Sequence, residues 1–301
     1  MLEFEFPGLE VGVAEYAAGP TGCTVFNFPS SVRHVADVRG GAPGVLGESY
    51  GFVDAICFAG GSAYGLEAAS GVAAELLARR GNRVGWEEIA IVSAAIIYDY
   101  GPRENAIYPD KALGRAALQA AQPGRFPLGA QGAGVSATAG KALGFEWGEP
   151  AGQGAAVREL GPVRLAVFTV VNAWGAIVGR GGEVVRGNLD RSSGERVPTA
   201  DALERRALAG EPEEAPPGNT TLTLVVTNAV LDSWELRQLA RQTHASMGRA
   251  IQPFHALYDG DVLFAVTTSE VESERFDAAA LGIFTSELAW DAVLASVASE
   301  D

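Results

Sequence analysis

Apolar positions along this chain recur in two rhythms, and the alternation between them lays out its elements. Continuous apolar runs bounded by turn residues read as buried strands: residues 53–58, stopping at Gly60-Gly61-Ser62, then 91–97, 164–171, 222–226 and 262–266, with Ile177-Val178 expected to partner the third. Between them, apolar residues spaced by three and four mark helices. Leu66, Ala69, Ala73, Leu76 and Leu77 share one face of a helix ending at Arg79-Arg80-Gly81, where basic residues and a glycine suit a C-terminus. A second helix is predicted over 111–122, a third opens at the capping box Asp232-Ser233-Trp234-Glu235 and ends at Gly248, and a last one covers 286–297. Strands interleaved with helices indicate an α/β (α+β) chain, read as a single domain over 1–301. Residues 187–219 turn to charge, proline and alanine, including Glu211-Pro212-Glu213-Glu214-Ala215-Pro216-Pro217, and predict a flexible surface linker.

Composition narrows the function classes. The 301 residues are 48% hydrophobic and 20% charged, enough to bury a large core. A formal charge of −15, from 22 Lys+Arg against 37 Asp+Glu, argues against nucleic acid or an anionic membrane as partner. No apolar run approaches the roughly 18 residues of a bilayer span, and Met1-Leu2-Glu3-Phe4-Glu5-Phe6-Pro7 lacks a basic region leading into an apolar one, so the expected location is the cytoplasm. Cys23 and Cys57 form no CxxC pair and no two histidines have ligand spacing, so neither a disulfide framework, a metal nor a cofactor is expected.

Several familiar chemistries fail on detail. Gly61-Ser62-Ala63-Tyr64-Gly65 has one residue too many for a nucleophile elbow, and Ser62 reads as structural. The Gly-rich stretch 129–141 has Val135 where a phosphate loop needs glycine and Ala142 where it needs Ser or Thr. His34, His244 and His255 stand near no recognisable Ser or Cys motif, which leaves a Ser-His-Asp triad little support. One mechanism needs no histidine. If the Asn219–Thr220 bond in Gly218-Asn219-Thr220-Thr221 is cut, Thr220 becomes a new N-terminus holding both a hydroxyl nucleophile and an α-amine close to neutral pKa. The plain alternative is a Gly-Asn turn entering a strand. Four further features could serve such a site. They are Tyr98 at a strand end, Lys141 among small residues, Asn172 closing a strand as an amide donor, and Asp259 and Asp261 flanking one glycine, a spacing that also suits a hairpin turn.

Taken together, Gly60-Gly61-Ser62-Ala63-Tyr64-Gly65-Leu66-Glu67-Ala68, Val171-Asn172-Ala173, Gly218-Asn219-Thr220-Thr221-Leu222, Val225-Val226-Thr227-Asn228-Ala229 and Tyr258-Asp259-Gly260-Asp261 resemble, in that order, the DmpA-type aminopeptidase family. That family includes L-aminopeptidase/D-amidase-esterases, β-peptidyl aminopeptidases and nylon-oligomer hydrolases. The resemblance implies a four-layer α-β-β-α sandwich, like N-terminal-nucleophile hydrolases but differently connected, and a precursor cut before Thr220 into pieces 1–219 and 220–301 that stay together. It implies Thr220 as nucleophile, Asn172 as oxyanion donor, Lys141 beside the Thr220 amine, Asp259 and Asp261 as acidic partners, and Tyr98 lining the site. It further implies a small peptide or amide substrate and a homo-oligomer, a tetramer. Thr220 with Asp-Gly-Asp is closer to the nylon-oligomer branch, while residues 98–110, with Arg103 and Glu104, depart from the pattern and leave the amine-binding group open. Two other classes stand beside this one: an acyltransferase of the ornithine acetyltransferase type, also cleaved but passing the acyl group to an amine, and an uncleaved non-enzymatic binding or assembly protein.

Overall fold

The computed structural model describes residues 1–47, 50–101, 103–210, 218–272 and 275–297. Among these, a ten-stranded sheet is the frame. Its main strands are β1 (Glu10–Tyr16), β2 (Thr21–Val38), β3 (Phe52–Ala59), β4 (Val92–Ile96), β5 (Gln153–Leu160), β6 (Val163–Asn172), β7 (Thr220–Ala229) and β8 (Val262–Val271). They lie in the order β5-β6-β7-β8-β2-β3-β4, and β1 pairs with the first half of β2. The 18-residue β2 is the fold line. Its positions 23–27 pair with β3, its positions 33–38 pair with β8, and the register with β3 shifts between Asn27 and Val32. The sheet therefore doubles over as two facing layers.

Side-chain alternation along each strand then separates three cores. Phe26, Ile56, Phe58, Phe168, Leu222, Leu224, Val262 and Phe264 point between the layers, with the Phe26 and Phe168 rings 5.1 Å apart. Val25, Ala55, Cys57 and Ala59 point out toward one helix pair, and Val167, Val225, Leu263 and Ala265 toward another. Strands with apolar neighbours on both faces read as unbroken apolar runs, which is the pattern the sequence carries.

Helices α1 (Glu67–Arg79) and α2 (Lys111–Gln119) cover the first outer face, and α4 (Ser233–Ser246) and α5 (Ala278–Ala295) the second; α3 (Thr199–Ala209) lies apart from both. The helices α1 and α2 meet backbone to backbone: a Cβ on Gly114 would stand 2.0 Å from the Ala68 carbonyl oxygen. The architecture is the four-layer α-β-β-α sandwich expected.

Four local expectations change. Ala176–Val178 pairs with Val184–Arg186 and Ile251–Gln252 rather than with β6, because β5 and β7 already occupy both edges of β6. α2 stops at Gln119 rather than 122. α5 starts at Ala278, well before 286, capped by Asp277, which accepts from the Ala280 N–H at 2.8 Å. Its first turn is alanine, a strong helix former that carries no large apolar residue by which an amphipathic face is read. At 18 residues and mean hydropathy 1.3, α5 is long and apolar enough to cross a bilayer, yet Leu281, Leu288, Ala289, Ala292 and Val293 spend that apolarity on the second outer core.

The fourth change concerns the linker. Its part from 187 to 210 is built into the fold: Asn188 is buried and donates to the Thr199 hydroxyl at 2.7 Å, Arg196 holds the buried Glu149 at 2.6 and 2.8 Å, and α3 follows. These polar contacts add to a small apolar cluster in which Val197 and Ala202 pack against Leu143. Residues 211–217, including Pro216 and Pro217, lie outside the described residues.

Candidate active site

Strand register builds the site. Thr220, the first residue of β7, lies opposite Asn172, the last residue of β6, in the antiparallel ladder. On its other side β7 runs parallel to β8, with Leu222 beside Val262. The same register carried back along both strands brings Asn219 beside Asp259 in a parallel bridge. Asp259-Gly260-Asp261 is therefore no hairpin; it is the N-terminal approach to β8, held alongside Asn219-Thr220-Thr221.

Three contacts converge on the Asn219–Thr220 bond. The Gly260 N–H donates to the Asn219 carbonyl oxygen at 2.7 Å, the Asn219 N–H donates to the Tyr258 carbonyl at 3.3 Å, and the Thr220 hydroxyl donates to the Asn219 oxygen at 2.5 Å. Thr220 is only 4% exposed. Glycine at 260 is required by space, because a Cβ there would lie 2.8 Å from the Thr220 hydroxyl and 2.7 Å from the Ala42 carbonyl oxygen.

The two carboxylates have different surroundings. Asp261 accepts from the Thr221 N–H at 2.7 Å through one oxygen, and through the other from the His255 N–H and ring Nδ1, both at 3.0 Å. Asp259 accepts from the Trp174 N–H at 3.2 Å and the Ala256 N–H at 2.9 Å. Burial, with the Asp261 charge next, raises Asp259 to about 7, against the pull of those two N–H groups and Lys141.

Lys141 is 1% exposed, so it is not a solvated loop lysine. The Lys141 and Gly140 N–H groups bond the Trp174 and Gly175 carbonyls at 2.9 Å, which fastens its loop to the turn after β6. Its Nζ donates to the Asn172 side-chain oxygen at 2.9 Å and, more loosely, to the Asn172 carbonyl at 3.4 Å. Burial pushes this lysine down to about 7, with the Asp259 charge opposing. An acid and a base that both titrate near neutrality share one buried region, an arrangement suited to moving a proton at physiological pH.

Asn172 is not on the Asn219 oxygen in the intact chain. Its amide donates to the carbonyls of Tyr98 at 2.9 Å and Gly218 at 3.2 Å, one peptide upstream of the bond at issue. The donor on the Asn219 carbonyl is the Gly260 N–H, a backbone group that a search for side chains overlooks; the glycine between two aspartates was its signal. Tyr98 packs against Gly218, whose φ of +84° and lack of room (a Cβ would be 2.4 Å from Tyr98 Cγ) leave no place for a side chain. Arg103 is turned away from this region, buried in an ion pair with Asp99 at 2.6 Å and lying over the Tyr100 ring at 4.2 Å. His255, read from the sequence as remote from any nucleophile motif, is in the site through Asp261. Among the described residues no cluster of His, Cys, Asp and Glu could hold a metal.

The chain as a whole belongs to a known class. The chain matches the profile of peptidase family S58 over residues 5–299 and belongs to that family, so it is an enzyme of the amide-hydrolysing kind. It is 50% identical to a 6-aminohexanoate-oligomer endohydrolase of Paenarthrobacter ureafaciens, over 98% of this chain and 85% of that one. An uncharacterized aminopeptidase of Mycobacterium leprae is 34% identical over 84% of this chain and 72% of its own. Among solved structures, the L-aminopeptidase D-Ala-esterase/amidase of Ochrobactrum anthropi, described as a variant of the Ntn-hydrolase fold, superposes with a TM-score of 0.69 at 16% identity, covering 96% and 83% of the two chains. A Burkholderia β-aminopeptidase gives 0.68 at 16% identity over 96% and 84%. These two share the fold.

Proposed function

We propose that this chain is a self-processing amide hydrolase that cuts itself before Thr220 and then uses Thr220 as an N-terminal nucleophile on linear amide oligomers. The observation that carries this reading is the pairing of the Gly260 N–H with the Asn219 carbonyl at 2.7 Å while the Thr220 hydroxyl lies beside the same carbonyl. In self-cleavage Thr220 Oγ adds to the Asn219 carbonyl carbon, and Gly260 N–H steadies the oxygen as it gains charge. The C–N bond breaks, the nitrogen takes a proton to become the Thr220 amine, and water hydrolyses the resulting ester.

Release of the 218–219 end frees the Asn172 N–H that Gly218 had occupied. That amide can then serve the substrate, in the oxyanion role expected of it. Substrate turnover repeats the chemistry: Thr220 Oγ takes the acyl group, its proton passes to its own amine or to the Lys141–Asp259 pair, and water releases the acid. The 50% identity to a 6-aminohexanoate-oligomer endohydrolase supports a linear amide oligomer as the substrate class.

Denaturing electrophoresis of freshly made protein tests the first step: two bands are expected, the smaller beginning Thr-Thr-Leu-Thr-Leu, and a single uncut band from Thr220→Ala. Linear 6-aminohexanoate oligomers and aminoacyl p-nitroanilides, each with and without an amine acceptor, test the second. Transfer to the amine in preference to water would reassign the enzyme as an acyltransferase, and a chain that stays whole after prolonged incubation would sink the nucleophile assignment.

A further inference from the structure

Behind the nucleophile strand lie two Asp–His pairs set back to back. His255 Nδ1 meets Asp261 Oδ2 at 3.0 Å, and His244 Nδ1 meets Asp37 Oδ2 at 3.0 Å. The two imidazoles touch edge to face, with centroids 4.4 Å apart at 83°. Both Nε2 atoms are buried without a hydrogen-bond partner. A carboxylate can only accept, so each Nδ1 donates to its aspartate. Burial lowers His244, with the Asp37 hydrogen bond opposing. His255 also sits at φ +60°, a left-handed conformation tolerated in a non-glycine residue only where surroundings enforce it. That conformation lets one residue give Asp261 both its backbone N–H and its ring N–H.

We propose that His255 is a positioning residue for the acyl-transfer chemistry, holding Asp261 as an oriented carboxylate against the Thr221 N–H and so fixing the start of β7. The inference rests on the reading of Thr220 as nucleophile. Asp261 carries the effect in two ways. Its Oδ1 sets the Thr221 peptide, and hence the direction in which the Thr220 hydroxyl leaves the strand. Its charge is the second-largest contribution raising the neighbouring Asp259, so losing that charge would undo the balance between Asp259 and Lys141. The titratable groups that His255 meets are Asp261 and, on α4, His244, whose Nδ1 is held by Asp37 near the end of β2; Arg39 neutralises Asp37 at 2.7 Å.

The test compares His255→Gly with His255→Asn. Glycine accepts φ +60° without strain but offers no side-chain donor, while asparagine also tolerates this conformation and puts its amide nitrogen where Nδ1 was. With a linear 6-aminohexanoate oligomer as probe, the glycine variant should lower kcat by about tenfold, because an Asp261 that has lost its ring donor holds the Thr221 peptide, and with it the Thr220 hydroxyl, less firmly. KM should stay within about twofold, and the asparagine variant should restore kcat. Thermal melts check folding, and all variants are assayed below the lowest melting temperature. A kcat that does not fall, a KM that rises in step with the loss, or a loss that asparagine does not repair, overturns the proposal. Thr220→Ala is run alongside. Cleavage in that variant would remove the nucleophile reading itself, whereas an inert Thr220→Ala with an undiminished His255→Gly would remove only this inference.

Discussion

Gly260 N–H and the Asn219 carbonyl oxygen are 2.7 Å apart across a parallel bridge, so in the proposed self-cleavage ordinary strand pairing would supply the electrostatic support for breaking the peptide next to it. No catalytic side chain has to be brought in for that contact. Correct pairing of β7 with β8 creates it, and a chain in the wrong register would lack it. Gly260→Ala keeps the N–H but drives a methyl to within 2.8 Å of the Thr220 hydroxyl. Self-cleavage should slow by at least about tenfold, as misplacement of a reacting group by a fraction of an ångström requires. A time course of the two bands on denaturing gels measures it, and unchanged cleavage would remove Gly260 from the mechanism.

On the proposed reading, Gly218 would separate maturation from turnover. A side chain there collides with Tyr98 and must adopt φ +84°. Gly218→Ala is expected to delay cleavage by roughly tenfold or more. Once cut, however, residue 218 has left the site, and turnover per cleaved molecule should match the parent. A variant that cleaves slowly and also turns over slowly, assayed after cleavage is complete, would contradict the departure of this end.

Lys141 at about 7 predicts how rate follows pH. As pH rises from 6 to 8 the lysine passes from mostly charged to mostly neutral, so acyl transfer that uses it as base should rise across that window. Lys141→Arg keeps the charge but cannot give up its proton. It should lose about 100-fold or more in kcat and show no rise between pH 6 and 8. Retention of the rise would move the base function elsewhere.

The same two buried groups shape stability. Lys141 has a folded value below its ordinary one, so its contribution is present above pH 10.5 and lost as pH falls to about 7. Asp259 is raised from 3.8 to about 7, so its contribution is present below 3.8 and lost as pH rises through 7. From these two groups the uncleaved Thr220→Ala precursor should be least stable near pH 7. Denaturant melts should show a gain on the order of 1–3 kcal/mol between pH 7 and 10, and adding Lys141→Met should flatten that rise.

The layers of the fold were legible because Val25 and Phe26, or Phe264 and Ala265, put apolar side chains on both faces of their strands, and doubly covered strands leave continuous runs in a sequence. Thr220, Asn172, Lys141, Asp259 and Asp261 were legible through their resemblance to a family, and the register brings them together. Less was legible where backbone groups or distant ring contacts matter. Gly260 acts through an N–H that every residue but proline has. The meeting of His244 with His255 depends on how α4 crosses the loop after Gln252, which no local pattern encodes. The linker expectation failed for 187–210 because Arg196 and Asn188 find their partners far off in sequence or in side-chain detail, at Glu149 and Thr199.

The sheet order holds one more consequence. β7 and β8 lie side by side in its middle, flanked by β6 on one edge and β2 on the other. A cut before Thr220 would leave the shorter piece laced between strands of the longer one, with hydrogen-bond ladders on both margins. Folding would then have been a one-chain event, but any later refolding would be an encounter between two molecules whose shorter member cannot form this sheet alone. Melting of the mature enzyme would be effectively irreversible and its recovery dependent on dilution, so the uncut chain acts as a single-use template for a structure that the finished protein could not assemble again with the same ease.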